Sequence, residues 1–250
     1  MKSELRIVAV LLITLLMNSC KKTNSDPSPV PQIACLPTNL QDSLIAFYPF
    51  SLGSLNDISG NNYNLTNSTS ASSGVDRAGN PNCAFNFVRA NGDFLKYANP
   101  TFLNDFQTIP FSISLWYKPI GIDNDYKLLI GRDSTLFHCD TYGQWSVGTY
   151  DVGLAVFGIN QSSLWENGPT TTNVWKHLIV TCTGTDIKLY TNGILTTDVP
   201  GVGCPTPTTN AGDLLLGKEF NGLLDDVIIY KKILSSAEIT QLYNLAACCQ

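Results

Sequence analysis

The mature part of this chain has few of the residues that enzymes use for acid–base and nucleophilic catalysis. After residue 19, glutamate occurs only at Glu166, Glu219 and Glu238, and histidine only at His138 and His177. Glycosidases need a pair of carboxylates at the scissile bond, and no E-x-D-x-x-E strand pattern places one here. The H-E-x-x-H and G-x-S-x-G motifs of zinc peptidases and serine hydrolases are missing as well. The sequence therefore predicts a protein that is not an enzyme.

Charge and long apolar runs are also scarce. Charged residues make up 14% of the chain, and the formal net charge is −5. Nucleic-acid binding depends on Lys and Arg that neutralise phosphates, and they form no cluster here. The apolar run at 7–17 has eleven residues, whereas a membrane-spanning helix needs about 20. These features exclude a nucleic-acid partner and a spanning helix in this run.

The first residues have the pattern of an export signal. Lys2 and Arg6 precede the short apolar run, as in a secretory signal peptide. The segment LLMNSC at 15–20 resembles the bacterial lipobox, in which the cysteine, here Cys20, is diacylated and becomes the new N-terminus. An ordinary cleaved signal peptide is the alternative. We expect residues 1–19 to be removed and the protein to be exported, anchored by lipid to the bacterial outer membrane or cell surface.

The rest of the chain divides into a linker, one domain and a short tail. Residues 20–43 are rich in polar residues and proline, which predicts an extended linker. About ten strand-like runs follow from residue 44 without intervening helices, and such a series indicates an antiparallel sandwich. The run FSISLWYKP at 111–119 alternates apolar and other residues with a period of two. A capping box at Ser235 and Glu238 predicts one short helix near the end.

Four sequence blocks resemble the laminin-G-like, concanavalin A-like jelly-roll family in the family's order. They are LIAFYPFSLGSLNDISGN (44–61), FSISLWYKP (111–119), NVWKHLIVTCTGTDIKLYTNG (173–193) and FNGLLDDVIIYKKILSSAEITQLYN (220–244). The resemblance implies an all-β fold: an antiparallel β-sandwich over residues 44–246 with a short C-terminal helix, followed by a cysteine-containing tail at 247–250.

The resemblance also implies calcium as a cofactor. Family members often hold this ion between the loop N-D-I-S-G-N, which here carries Asp57, and the acidic pair before the last strand, here Asp225 and Asp226. Strict alternation puts Asp225 on the same face as Val227, pointing inward, and a buried carboxylate must be paired, hydrogen-bonded or bound to a metal. The alternative is that Asp57 makes a turn and Asp225 caps backbone amides.

Four aromatic residues are candidates for stacking against a sugar: Trp116, Tyr142, Trp145 and Trp165. Loops at the rim of a scaffold carry much of its binding function, so Trp145 and Trp165 are the first choices. The alternative is that these two rings cover the edges of the core.

The cysteine content fits an exported protein. Beyond Cys20 there are seven cysteines, at positions 35, 83, 139, 182, 204, 248 and 249. Because the two ends of a sandwich often lie close together, we favour a disulfide between Cys35 and Cys248 or Cys249. A bond between Cys182 and Cys204 is a weaker prediction, and the adjacent pair could instead link to another chain.

Two functions are consistent with these features. The first is a non-catalytic carbohydrate-binding or adhesion module at the cell surface, with a glycan or surface protein as partner and the membrane reached through lipid on Cys20. The second is a structural or protein–protein interaction domain of an envelope assembly. The preference for glycans depends on the resemblance and on the aromatic residues of the loops.

Overall fold

The computed structural model describes residues 33–106, 109–121, 126–133, 145–150, 154–159, 162–165, 171–183, 186–197, 200–202 and 212–249. Residues 31–250 form one compact unit, to which all the described residues belong. The predicted signal peptide and Cys20 lie outside the described residues.

The described residues form fifteen strands, four short 3₁₀ turns and one α-helix. The strands are β1 (Leu44–Tyr48), β2 (Ser72–Gly74), β3 (Ala84–Phe87), β4 (Leu95–Tyr97), β5 (Phe111–Pro119), β6 (Lys127–Asp133), β7 (Trp145–Tyr150), β8 (Leu154–Ile159), β9 (Ser162–Trp165), β10 (Lys176–Cys182), β11 (Ile187–Thr191), β12 (Ile194–Thr197), β13 (Pro200–Val202), β14 (Asp213–Leu216) and β15 (Gly222–Tyr230). The 3₁₀ turns are Thr38–Leu40, Ser51–Gly53, Arg89–Asn91 and Thr101–Leu103, and the helix α1 is Ser236–Asn244.

The strands belong to two sheets in which every pairing is antiparallel. The first sheet has the order β12-β11-β10-β5-β15-β3-β2, with β1 added against β15, and the second has the order β13-β9-β8-β7-β6-β14-β4. The predicted antiparallel β-sandwich with a short C-terminal helix is therefore confirmed.

Alternation along β5 shows how the sequence builds the core between the sheets. Phe111, Ile113, Leu115 and Tyr117 are buried in this inner core. Trp116 falls between them and takes the opposite face of the first sheet, its outer face, where it is partly exposed. Successive side chains of a strand point to opposite faces, so the predicted period of two is confirmed.

Strand β15 departs from strict alternation, and this corrects the predicted direction of Asp225. Its pairing with β5 shifts register between Asp225 and Ile228, and Asp226 has a left-handed φ of 44°. A bulge of this kind adds one residue to the strand. The residues that follow it therefore point to the face opposite to the one that strict alternation predicts. Asp225, just before the bulge, is paired opposite Trp116 at the outer face, whereas Val227, beyond the left-handed Asp226, belongs to the inner core.

A second apolar cluster, the outer cluster, covers part of the outer face of the first sheet. Residues 33–40 and α1 contribute to it, with Ile239 and Leu242 of the helix buried. The capping box at Ser235 and Glu238 is present at the start of α1, so this prediction is confirmed. Because the two ends of the domain form this cluster together, the helix depends on the N-terminal segment for its burial.

Two disulfides hold these ends. Cys35 is bonded to Cys248, one of the two pairings that the sequence favoured, and Cys83 is bonded to Cys249. Both adjacent cysteines are therefore bonded within the chain, not to another one. Cys182 is buried, and its suggested partner Cys204 lies outside the described residues, so that pairing stays a prediction.

We predict that the double variant Cys35→Ser/Cys248→Ser folds but loses about 2–5 kcal/mol of unfolding free energy, because the bond closes a long loop in the unfolded chain. Urea unfolding of the variant and the native chain measures the loss. Peptide mapping without reductant is the control for connectivity. A loss below about 1 kcal/mol would contradict a stapling role for this bond.

Candidate functional site

Two residues predicted for calcium, Asp225 and Asp226, and one predicted for sugar stacking, Trp116, meet His177 at the outer face of the first sheet. Asp225 on β15 is paired opposite Trp116 on β5, and Trp116 is paired opposite His177 on β10. Asp226 follows at the bulge. A row of potentially reactive side chains thus crosses three neighbouring strands.

The guanidinium of Arg77 contacts Asp225, Asp226 and Trp116 at this outer face. Its Nη1 donates to Oδ2 of Asp225 at 2.7 Å and to Oδ2 of Asp226 at 2.6 Å. The guanidinium carbon lies 4.5 Å from the centre of the Trp116 ring, within the range of a cation–π contact. One face of Trp116 is therefore taken by protein, which leaves this predicted sugar-stacking ring inside a polar cluster and not at a free rim.

The two carboxyl groups hold a proton more tightly than isolated aspartates do. Burial, with the charge of Asp226 next, raises the pKa of Asp225 to about 8, although Arg77 acts in the opposite direction. Burial likewise raises the pKa of Asp226. Both carboxyl groups are therefore harder to ionise than exposed aspartates.

His177 is a neutral, packed imidazole. Burial, with a smaller contribution from Arg77, lowers its pKa to about 3. Its Nε2 lies 2.9 Å from Oγ of Ser114, while its ring stacks on Trp116 with 4.9 Å between centroids. A serine nucleophile needs a histidine that is oriented by an acid and able to take a proton. Within the described residues Nδ1 of His177 has no hydrogen-bond partner, and its low pKa makes it a weak base.

Asp57 lies in a different environment. Its Oδ1 accepts hydrogen bonds from the backbone N–H groups of Phe47 and Ser59, and its Oδ2 accepts from Oγ of Ser59 and the N–H of Tyr63. Four donors fix the turn that follows β1, as the turn-forming alternative expected. Calcium at Asp57, Asp225 and Asp226 stays a prediction, and these contacts do not favour it.

One group of potential metal ligands occurs among the described residues. Asp76, Cys83 and Cys249 bring ligand atoms within 4.8 Å of one another. The two sulfurs are joined in a disulfide, and the carboxylate of Asp76 accepts hydrogen bonds from Ala78 and Asn80. These contacts give the group a structural role.

The structure corrects the prediction that Trp145 lines a ligand surface. Trp145 starts β7, is 1% exposed and stacks on Phe106 with 5.8 Å between ring centroids. It faces the inner core because its position on the strand alternates inward, so the core-covering alternative describes it. Tyr142 and the side chain of Trp165 lie outside the described residues, and their assignment to a ligand surface stays a prediction.

Sequence reasoning missed a cluster of three partly exposed rings, which we call the aromatic cluster: Tyr63, Tyr97 and Phe102. Tyr63 and Phe102 stack in parallel, with 3.8 Å between centroids and 7° between planes. Tyr97 meets both rings edge-on, at 5.8 Å from Tyr63 and 5.3 Å from Phe102. The rings come from three separate segments and pack against the inner core.

Hydrogen bonds to the backbone of Tyr63 and the strand pairing of Tyr97 hold the aromatic cluster in place. Asp57 binds the N–H of Tyr63, and the hydroxyl of Tyr48 donates to the Tyr63 carbonyl at 2.7 Å. Tyr97 ends β4, the edge strand of the second sheet, where it pairs with Leu214. The available signal was Tyr63 itself, an aromatic residue in an asparagine-rich turn, but nothing in the sequence places it beside Phe102.

We predict that replacing His177 makes stability less sensitive to acid. Because the folded-state pKa of about 3 lies below the ordinary 6.5, this group's contribution is present above pH 6.5 and is lost as pH falls towards 3. Each pH unit in that window removes up to about 1.4 kcal/mol. Urea unfolding should therefore show a shallower loss in His177→Gln than in the native chain between about pH 6.5 and 4. Equal slopes would contradict a buried neutral imidazole.

The sequence profile of the concanavalin A-like lectin/glucanases superfamily, of laminin G type, matches residues 90–240. No curated protein sequence matches the chain. In the described part of the chain, no helix is long and apolar enough to cross a membrane.

Solved structures share the fold at low sequence identity. Domain 4 of AbnA, an extracellular arabinanase from Geobacillus stearothermophilus solved with arabinotriose, has a TM-score of 0.59 and 18% identity, over 81% of this chain and 98% of that one. The binding domain of Paraclostridial Mosquitocidal Protein 1 has a TM-score of 0.62 and 18% identity, over 82% of this chain and 52% of that one.

A structure of botulinum neurotoxin type C, whose cell entry depends on interaction with two ganglioside molecules, has a TM-score of 0.60 and 19% identity, over 82% of this chain and 52% of that one. The present chain thus spans about half the length of either toxin chain. These likenesses establish the fold, and the profile match covers more than half of the residues. The chain belongs to the concanavalin A-like lectin/glucanases superfamily.

Proposed function

We propose that this domain is a non-catalytic carbohydrate-binding module that holds a sugar against the aromatic cluster. The observation that carries the proposal is the packing of Tyr63, Tyr97 and Phe102 into one partly exposed group at the edge of the second sheet. Ligand sites combine aromatic surface with a few polar groups that fix orientation.

Polar side chains accompany the rings. Asn62 and Asn64 flank Tyr63, Asn99 follows Tyr97 by two positions, and all three asparagines are exposed. An amide group both donates and accepts hydrogen bonds, which suits the hydroxyl groups of a sugar. The combination supports binding of an oligosaccharide by stacking and by amide contacts.

The similarity to solved structures supports the proposal at the level of the fold only. Almost the whole of the arabinanase domain solved with arabinotriose is covered by the match, so a complete sandwich of this type is compatible with oligosaccharide binding. For the toxins only about half of each chain is covered, and their ligands support the proposal less directly.

The chemistry of the outer face supports a role without catalysis. The low pKa of His177 and its packing against Trp116 leave it poorly suited to accept a proton. Asp225 and Asp226 both bind Arg77 and are adjacent in the chain, whereas a glycosidase pair flanks its substrate from two sides. This part of the domain stabilises structure.

We further propose that the protein is an exported, lipid-anchored surface protein. Its two disulfides suit an oxidising compartment, and the lipobox-like segment supplies the acceptor cysteine, Cys20.

We predict that replacing Cys20 removes the lipid and releases the protein from the membrane. Cells that express the native chain with radiolabelled palmitate should yield a labelled protein in the membrane fraction, because the lipid is the anchor. Cys20→Ser should give unlabelled protein released from the membrane, and Cys35→Ser, which changes a cysteine that carries no lipid, should remain labelled. Labelling of Cys20→Ser would contradict this anchor.

A protein–protein interaction domain is the second candidate. Ile194 and Leu195 are exposed on β12, an edge strand of the first sheet. Edge strands offer unpaired backbone groups to a partner chain. This observation favours a protein partner at a surface other than the aromatic cluster.

We predict that Tyr63→Ala and Tyr97→Ala each weaken oligosaccharide binding by about tenfold or more, because each removes a stacking ring worth on the order of 1.4 kcal/mol. A glycan array with the purified native domain identifies the ligand, and calorimetry with that ligand measures the change. Tyr243→Ala, which alters a partly exposed tyrosine of α1, is the matched control and should bind normally.

The outcomes separate the two candidates. Binding that survives both cluster variants would show that the sugar lies elsewhere on the domain. Silence across the array together with a specific protein partner, lost in Ile194→Asp, would favour the interaction domain.

A further inference from the structure

Asp225 and Asp226 form a buried pair of carboxyl groups around one positive charge. Their Oδ2 atoms lie 2.7 and 2.6 Å from the same nitrogen, Nη1 of Arg77. The three side chains are almost closed to solvent, at 0%, 8% and 9% exposed respectively. Buried carboxylates in proteins are either paired or bound to a metal, and here both share a single cation.

Two further sides of that cation are also in contact with the protein. Nη2 of Arg77 donates to the carbonyl oxygen of Leu245 at 3.3 Å, and the face of the guanidinium lies over Trp116. Two carboxylate oxygens and one carbonyl oxygen are the kinds of ligand that calcium binds. In this structure the guanidinium donates hydrogen bonds to all three oxygens. Its positive charge would repel a metal ion placed beside it.

The third residue predicted for calcium is engaged elsewhere. The carboxylate of Asp57 is surrounded by hydrogen-bond donors from Phe47, Ser59 and Tyr63, and donors repel a cation. Among the described residues, Asp57, Asp225 and Asp226 do not form a group whose ligand atoms lie within 4.8 Å. The residues present therefore do not fit the calcium site that the family resemblance implied.

We propose that the guanidinium of Arg77 takes the place of a metal ion in this domain, so that Asp225 and Asp226 form a cation site that the chain itself fills. The site connects the β15 bulge to the C-terminal tail at 245–249. Arg77 binds Leu245, and Oδ2 of Asp226 also accepts from the N–H of Cys248 at 3.2 Å. A cation that belongs to the chain cannot be removed by chelation, so the tail stays in place where metal ions are scarce.

The native protein provides the first test, by thermal unfolding in calcium-free buffer, with excess EDTA and with millimolar calcium chloride. We expect the three melting temperatures to agree within about 1 °C, since a ligand that does not bind the native state does not shift it. A melting temperature that falls with EDTA or rises with calcium would overturn the proposal.

The Arg77→Ala variant provides the second test. It leaves two buried carboxylates without their cation, and we expect the melting temperature to fall by about 10 °C. Because the oxygen ligands are then free, millimolar calcium should recover at least a third of this loss, while sodium chloride of equal ionic strength should not. If calcium recovers none of the lost melting temperature, Arg77 forms only an ordinary ion pair with the carboxylates, and the proposal is overturned.

Two further variants provide a control for Arg77→Ala and a replacement for it if it does not fold. Arg89→Ala removes an arginine whose partner, Glu219, is about 28% exposed, and should lower the melting temperature by no more than about 2 °C with no response to calcium. If Arg77→Ala does not fold, Arg77→Ala/Asp226→Asn, which carries one charge fewer at the site, replaces it. A calcium response in this double variant as large as the one expected of Arg77→Ala would contradict a site that needs both carboxylates.

Discussion

The contact between Arg77 and the two carboxylates at the β15 bulge is the interaction on which the rest of the outer face depends. Strand β15 is a central strand that pairs with β5, β3 and β1, and the bulge within it changes the face to which its own following residues point. Asp225, the last residue in regular register before the bulge, is paired opposite Trp116. Without a cation there, two adjacent buried carboxylates would repel each other. Arg77 removes that repulsion and at the same time holds the C-terminal tail through Leu245, next to the disulfides that close the domain.

Aromatic residues serve two different purposes in this sandwich. Trp145 and Trp116 are used by the protein itself, one in the inner core and the other beneath Arg77. The rings of Tyr63, Tyr97 and Phe102 pack on the core only in part and keep exposed surface at the edge of the second sheet. A turn fixed by Asp57 holds the first of these rings. The same carboxylate that suggested a metal therefore positions a surface that is suited to a sugar.

The sequence predicted the sandwich well because strand alternation and the family blocks are local patterns. The alternating residues of β5 and the capping box at Ser235 follow from short-range rules, and both are present. The direction of Asp225 did not follow, because a bulge that depends on Asp226 adopting a left-handed φ leaves no clear mark in an alternating strand. Nor did the pairing of Arg77 with Asp225, which are 148 residues apart. Contacts of that separation depend on how the sheets close, and composition does not reveal them.

A carbohydrate module and an interaction domain differ in which surface meets the ligand. Amide NMR of the isotope-labelled domain, titrated with the strongest oligosaccharide from a glycan array, tests this most directly. The account predicts shifts that saturate with ligand at Tyr63, Tyr97, Phe102 and the neighbouring asparagines, with no change at Trp116 or along α1. Shifts confined to the outer face, or an oligosaccharide that moves no resonance of the aromatic cluster, would contradict it.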